Sequence, residues 1–145
     1  MSYKGRFNPK NPKKYRGDYN NIIYRSLWEF KLMQYLDSHP HVLEWASEEF
    51  FVPYIHPVDK QLHRYFPDFW VKKKTDTGTD VLVIEVKPSI QTKAPVKGNK
   101  RQKTFINEAV TYAINEAKWK AAMELCKDHG WKFMLMTEKE LGIKF

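Results

Sequence analysis

Pro67-Asp68 and, further along, Glu85-Val86-Lys87 put two carboxylates and one amine within a short stretch of chain. Those residue types make up the smallest set able to cut a phosphodiester bond with magnesium. The reaction makes three demands: negative charge on the phosphate must be neutralised, a water must be aligned opposite the leaving oxygen, and that oxygen must be stabilised. Magnesium suits the first and third. It takes hard oxygen ligands in octahedral geometry, keeps several waters, and is held by one or two carboxylates plus substrate phosphate. Asp68 and Glu85 are candidates for those carboxylates, and the Val86 backbone carbonyl for a further oxygen. Lys87 lies two residues past Glu85, so on a strand both project from one face. Its ammonium can orient the attacking water or offset phosphate charge. Glu29 is the fourth candidate: it falls beside the apolar side of a helix, where a carboxylate is costly unless something pairs with it.

These residues must be held by regular elements. A helix is expected from about Asn20 to Ser38, with Ile22, Ser26, Glu29, Met33 and Leu36 on one face and Pro40 ending it. Val42–Tyr54 is expected to contain a strand, with Phe50, Val52 and Tyr54 on one side. Leu62–Lys73 reads as a strand with Phe66, Asp68 and Trp70 sharing a side. Asp80–Lys87 has the clearest alternation, Val81, Val83, Glu85 and Lys87 against Leu82, Ile84 and Val86. The polar turn Lys74–Thr79 joins the last two as an antiparallel hairpin. A loop over 88–103 precedes a long helix from about Thr104 to His129, its buried side Ala109, Tyr112, Ala113, Ala117, Ala121 and Leu125, with Gly130 as its stop. Trp131–Thr137 reads as a buried strand and Glu138–Leu141 as a last turn.

With 145 residues, 42% apolar and 15% aromatic, the chain has the composition of one folded domain. Its formal charge of +8 favours a polyanionic partner, nucleic acid first. An anionic membrane competes, but no basic amphipathic helix or bilayer-length apolar run supports it. Residues 1–18 carry Lys4, Arg6, Lys10, Lys13, Lys14 and Arg16 and read as an extended arm, either a solvated tail or a segment lying on phosphates; residues 19–145 form the domain. Lys93, Lys97, Lys100, Arg101 and Lys103 make a second basic rim. Both suit contact with the DNA phosphate backbone, without base readout. Tyr15, Tyr19 and Trp70 are candidates to stack on an exposed base, core packing being the expected fate of Trp70. The single cysteine, Cys126, is expected to be a small buried apolar residue. The scattered histidines show no zinc-site spacing.

With Glu29, Pro67-Asp68 and Glu85-Val86-Lys87 in the order helix, three strands, helix, strand, residues 20–141 resemble the PD-(D/E)xK superfamily of nucleases. Ser26-Leu27-Trp28-Glu29, Glu48 through Tyr54 and Pro67-Asp68-Phe69 resemble the Holliday-junction resolvases of short-tailed phages. Ala117-Lys118 through Leu141 resembles the TnsA-type transposon-end endonucleases. The whole chain, with Tyr3 through Phe7 and Asn11 through Tyr15, resembles most the head-completion nucleases of T-even-like phages.

The resemblance implies an α/β (α+β) restriction-endonuclease-like core of order αβββαβ, its mixed sheet flanked by helices. It also implies catalysis by Glu29, Asp68, Glu85 and Lys87, with Mg²⁺ (Mn²⁺ substituting) on Asp68, Glu85, Glu29 and the Val86 carbonyl. The implied activity is an endonuclease processing packaged DNA in head completion, in the cytoplasm of an infected bacterium or in the virion, with head or portal proteins as partners. The alternatives are a structural head-completion protein on a nuclease fold and a junction or transposon-end nuclease. Glu48 and Glu49, used near the site in some relatives, read as solvated strand-edge charges. Lys118 reads as a solvated helix lysine or a phosphate contact.

Overall fold

The structure, a computed structural model, describes residues 4–141. Its core is a four-stranded sheet of β3 (Val42–Ser47), β6 (Phe69–Thr75), β7 (Gly78–Val86) and β8 (Lys132–Met136), in the spatial order β3-β6-β7-β8. The first three are antiparallel neighbours and β8 runs parallel to β7, so the sheet is mixed. Parallel pairing needs a long crossover, which α2 (Gln102–His129) supplies. With α1 (Leu27–Ser38) before β3, the core order is αβββαβ, as expected. Two small antiparallel pairs are added to it: β1 (Gly5–Phe7) with β2 (Ile22–Tyr24), and β4 (Val52–Ile55) with β5 (Leu62–Tyr65). A last turn, α3 (Glu138–Leu141), closes the described chain. Among the described residues no helix is long and apolar enough to cross a membrane.

The strongest alternation in the sequence becomes the centre of the fold. Leu82, Val83 and Ile84 are buried on β7, and β6 lays Phe69, Trp70 and Val71 beside them in register. Leu32, Met33 and Leu36 of α1 join this core, as does Cys126 from α2. Fully burying one such side chain stabilises by about 1.5–3 kcal/mol, so this cluster is the main reason the sheet holds its register.

Element boundaries depart from the sequence reading where local chemistry intervenes. The first helix begins at Leu27, not near Asn20. Ser26 caps it by accepting the Glu29 N–H at 3.1 Å, and β-branched Ile22 and Ile23 are drawn into pairing with β1. The strand expected within 42–54 is two strands, broken where Glu48 takes a left-handed φ of 54°. The strand expected over 62–73 is also two. It breaks at Phe66-Pro67-Asp68, where Pro67 has no N–H to donate to a ladder. Phe66 is consequently 45% exposed while Trp70 is buried, so they do not share an environment. The final strand, expected to be buried, is a half-covered sheet edge. Helix α2 runs unbroken to Gly130, whose φ of 71° makes the left-handed cap. Its buried residues are Trp119, Ala122 and Cys126. Tyr112, Ala117, Ala121 and Leu125 pack beside them, while Ala113 is exposed.

The N-terminal segment is not an arm lying apart from the core. Phe7 and Tyr15 are each 6% exposed and meet Trp45 edge-on. The Arg16 N–H donates to the Trp45 carbonyl at 2.8 Å. Buried Asp37 accepts the backbone N–H groups of Lys10 and Asn11. Lys14 Nζ donates to the carbonyls of Asp37 and His39, satisfying acceptors at the end of α1. Lys14 is therefore a structural cap and not the free phosphate contact anticipated. Tyr15 is likewise unavailable to stack on a base: its hydroxyl donates to the Glu49 carboxylate at 2.7 Å.

Candidate active site

The four residues singled out by type and spacing come from three elements that end near one another. Asp68 sits in the break between β5 and β6, Glu85 in the last turn of alternation on β7, Lys87 just beyond it, and Glu29 in the first turn of α1. The antiparallel register pairs Phe69 with Ile84, which sets Asp68 opposite Glu85. Asp68 Oδ2 accepts the Val86 N–H at 2.7 Å, and the Asp68 N–H points at Glu85 Oε1 at 3.3 Å. Tyr65, the last residue of β5, donates its hydroxyl to the same Oε1 at 2.8 Å. Lys87 Nζ stands 3.8 Å from Glu85 Oε2 and its backbone N–H is held by the Met136 carbonyl. The two acids are thus fixed by backbone and phenol donors on strands, which hold side chains more firmly than loops.

The electrostatics are those of a crowded acid site. Burial and then the Asp68 charge push the Glu29 carboxyl up to about 7. Burial also raises the proton affinity of Asp68, against the pull of the Val86 N–H and Lys87. Glu85 is raised by burial and by Asp68 beside it. Tyr65 is raised by burial and by the Glu85 charge, so it stays a protonated donor. Carboxylates that repel one another at a desolvated site are stabilised in their charged forms by a divalent cation.

Glu48 belongs to this cluster, contrary to its reading as a solvated edge charge. Its charge acts on both Glu29 and Asp68, its N–H donates to the Asp68 carbonyl at 3.2 Å, and Arg25 pairs with it at 3.1 Å. Besides the use of this position in some relatives, the signal in the sequence was the break in apolar alternation at Ser47-Glu48-Glu49. Glu49 is turned away to Tyr15. Lys118 is not simply solvated: its Nζ lies 5.7 Å from the Tyr65 ring centre and 6.0 Å from that of Tyr54, a cation–π position above the phenol that holds Glu85. A second missed feature flanks Asp68. Exposed Phe51 and Phe66 stand 5.8 Å apart with the Arg64 guanidinium 4.8 Å over Phe51.

The basic residues distribute unevenly. Lys4, Arg6, Lys13 and Arg16 are exposed, and Arg16 lies 4.8 Å over the Trp70 ring. In the loop after the site Lys93, Lys97 and Arg101 are exposed, as is Lys103 at the start of α2, whereas Lys100 is paired with Glu108 at 2.7 Å.

The donor set suits a hard divalent cation. Asp68 and Glu85 offer carboxylate oxygens side by side, and an ion that keeps several waters needs one or two such groups. Among the described residues the acids of this centre do not bring three ligand oxygens within 4.8 Å of one another. Glu29 is therefore not placed as a third ligand beside Asp68 and Glu85.

Residues 39–138 match the family described as TnsA-like endonuclease N terminal. That stretch contains Asp68, Glu85, Lys87 and Glu48, and leaves Glu29 before it. The chain is also 40% identical, over 99% of its own length and 99% of the relative's, to the head completion nuclease of Enterobacteria phage T4. With that match across more than half its residues, and with a mixed sheet flanked by helices, the chain belongs to the TnsA-like endonuclease family and is a homologue of head completion nuclease.

Proposed function

We propose that the protein is a divalent-metal-dependent endonuclease that hydrolyses DNA phosphodiester bonds during the completion of phage heads, with Mg²⁺ as its cofactor and Mn²⁺ able to replace it. The observation that carries this reading is the pairing of half-buried Asp68 with buried Glu85, locked by the Val86 N–H and the Tyr65 hydroxyl, with Lys87 beside it. Asp68 and Glu85, with the Val86 carbonyl, would hold the cation, and Glu29 would approach it from α1. When bound, the cation supplies charge neutralisation at the phosphate and at the departing oxygen. The chain's own residues do the rest. Lys87 is placed to orient the attacking water and offset charge on the phosphate. Tyr65 holds Glu85 in its rotamer, and Glu48 with Arg25 fixes the charge balance around Glu29. Hydrolysis leaves a 5′-phosphate and a 3′-hydroxyl. Exposed Lys4, Arg6, Lys13, Arg16, Lys93, Lys97, Arg101 and Lys103 would grip the phosphate backbone. The relative's name, head completion nuclease, supports the cytoplasm of an infected bacterium or the virion as the setting, with head or portal proteins as candidate partners.

Supercoiled plasmid tests the assignment. Nicking or linearisation with magnesium should stop in excess chelator and fall at least about 100-fold in Asp68→Ala, Glu85→Ala and Lys87→Ala. Cleavage that persists in all three removes the proposed centre. A wild type that binds DNA yet cuts no substrate shape points to a structural role on this fold.

A further inference from the structure

The loop joining β4 to β5 and the start of β5 bring together three side chains that the acid centre does not use. One ligand atom each from His56, Asp59 and His63 lie within 4.8 Å of one another, the only such His/Cys/Asp/Glu group among the described residues. We propose that these three residues form a second metal site, for one first-row transition-metal dication of the zinc type, at the end of β5 opposite Pro67-Asp68.

The ligand chemistry separates this site from the acid centre. Two imidazoles and one carboxylate select zinc, nickel or copper, whereas magnesium prefers oxygen ligands alone. Three protein ligands with water completing the shell make an ordinary tetrahedral set. Metal–nitrogen bonds of about 2.0–2.1 Å put neighbouring ligand atoms roughly 3.3 Å apart, so a spread of 4.8 Å closes with small side-chain rotations. His63 Nε2 already stands 2.7 Å from Asp59 Oδ2, and His56 Nδ1 is 3.8 Å from Asp59 Oδ1. The two imidazole rings lie 4.6 Å apart, centre to centre.

The loop is built to present these groups. The His56 N–H donates to the Gln61 carbonyl and the Lys60 N–H to the His56 carbonyl, both at 2.9 Å. Lys60 holds a left-handed φ of 61°, uncommon for a residue with a Cβ. Asp59 Oδ1 accepts the Gln61 N–H at 2.8 Å, and His56 Nδ1 accepts the Val58 N–H at 3.2 Å, which orients the ring and leaves Nε2 as its metal-binding nitrogen. A metal there would brace the hairpin whose other end delivers Tyr65 to Glu85. His63 and Tyr65 share a face of β5, and Tyr54 opposite His63 stacks toward both histidines.

The test uses the full chain without an affinity tag, freed of metal by chelation and then held in excess magnesium so that hard-oxygen sites are saturated. Titration with Zn²⁺ by calorimetry, and with Co²⁺ by its visible absorption, should show one equivalent bound. Affinity should fall at least tenfold in His63→Ala and in His56→Gln, and stay at the wild-type value in His41→Ala and Asp68→Ala. Circular dichroism and the unfolding midpoint establish that each variant is folded. The proposal is overturned by absence of zinc binding, by wild-type affinity in both folded histidine variants, or by loss of binding in Asp68→Ala, which would put the zinc on the acid centre. Because magnesium-dependent cleavage is not the readout, failure here leaves the nuclease assignment intact, and the reverse holds too.

Discussion

Asp68, Glu85 and Glu29 each bind protons more tightly in the folded chain than in an unfolded one, chiefly because burial disfavours their charge. The sign of the pH dependence follows. A folded state that retains protons the unfolded chain has released loses stability as pH rises. For Glu29 the window runs from its ordinary 4.5 to about 7. In chelator, the unfolding midpoint should therefore drop as pH is raised across that range, and magnesium should restore it at the alkaline end. Asp68→Asn keeps an acceptor for the Val86 N–H but removes the central charge. Its midpoint in chelator at alkaline pH should rise by roughly 4 °C, with cleavage abolished and the magnesium-induced rise diminished. A midpoint unaffected by pH and metal in both proteins would contradict a repelling acid cluster. At this scale the sequence was informative because Glu85 ends an apolar strand and Asp68 directly precedes another, so polar side chains at the rim of an apolar sheet stand out by type and spacing. Glu48 was not legible from its own stretch of chain. Its place depends on one left-handed residue that bends the chain toward Asp68, and nothing in Ser47-Glu48-Glu49 distinguishes which of the two acids turns inward.

Two elements control the aim of these acids without joining the chemistry. Ser26 starts α1 by capping the Glu29 N–H, so it fixes both the helix and the place of Glu29 on it. Ser26→Ala should cost about 1 kcal/mol in denaturant unfolding, with Ser26→Thr recovering most of it. The second element is the β4–β5 hairpin, which carries Tyr65. Tyr65→Phe keeps the ring against Lys118 but withdraws the hydrogen bond to Glu85. Turnover should fall about tenfold while the KM for DNA stays put; a change confined to KM would mean that Tyr65 contacts substrate and not Glu85. The hairpin's separate existence was hidden in the sequence. A run from Leu62 to Lys73 alternates well enough to pass for one strand, and only the missing donor at Pro67 divides it between two sheets. The β6–β7 hairpin and the crossover helix were legible because a polar turn and a glycine stop mark their ends. The basic N-terminal stretch misled: Phe7 and Tyr15 are isolated aromatics among lysines, and their burial comes from Trp45 and Asp37, far along the chain.

Across the whole molecule, the surplus of positive charge is split between residues that hold the fold together and residues free to meet a polyanion. Lys14 belongs to the first group and Lys100 is tied to Glu108, while Lys93, Lys97, Arg101 and Lys103 stay exposed in the segment that follows β7. The two groups predict different behaviour. Replacing those four exposed residues with Gln should weaken DNA binding and lower the slope of log affinity against log salt by about 0.9 for each side chain that meets a phosphate, with the unfolding midpoint unchanged. Asp37→Ala should do the opposite. It strands the N–H groups of Lys10 and Asn11 and loosens the segment bearing Phe7 and Tyr15. Stability should drop by about 1–3 kcal/mol with little change in salt slope. Paired measurements of unfolding and salt-dependent binding on the two variants separate the roles. A salt slope that falls in Asp37→Ala and not in the other variant would leave only the N-terminal residues of the proposed phosphate contacts and remove Lys93, Lys97, Arg101 and Lys103 from that role.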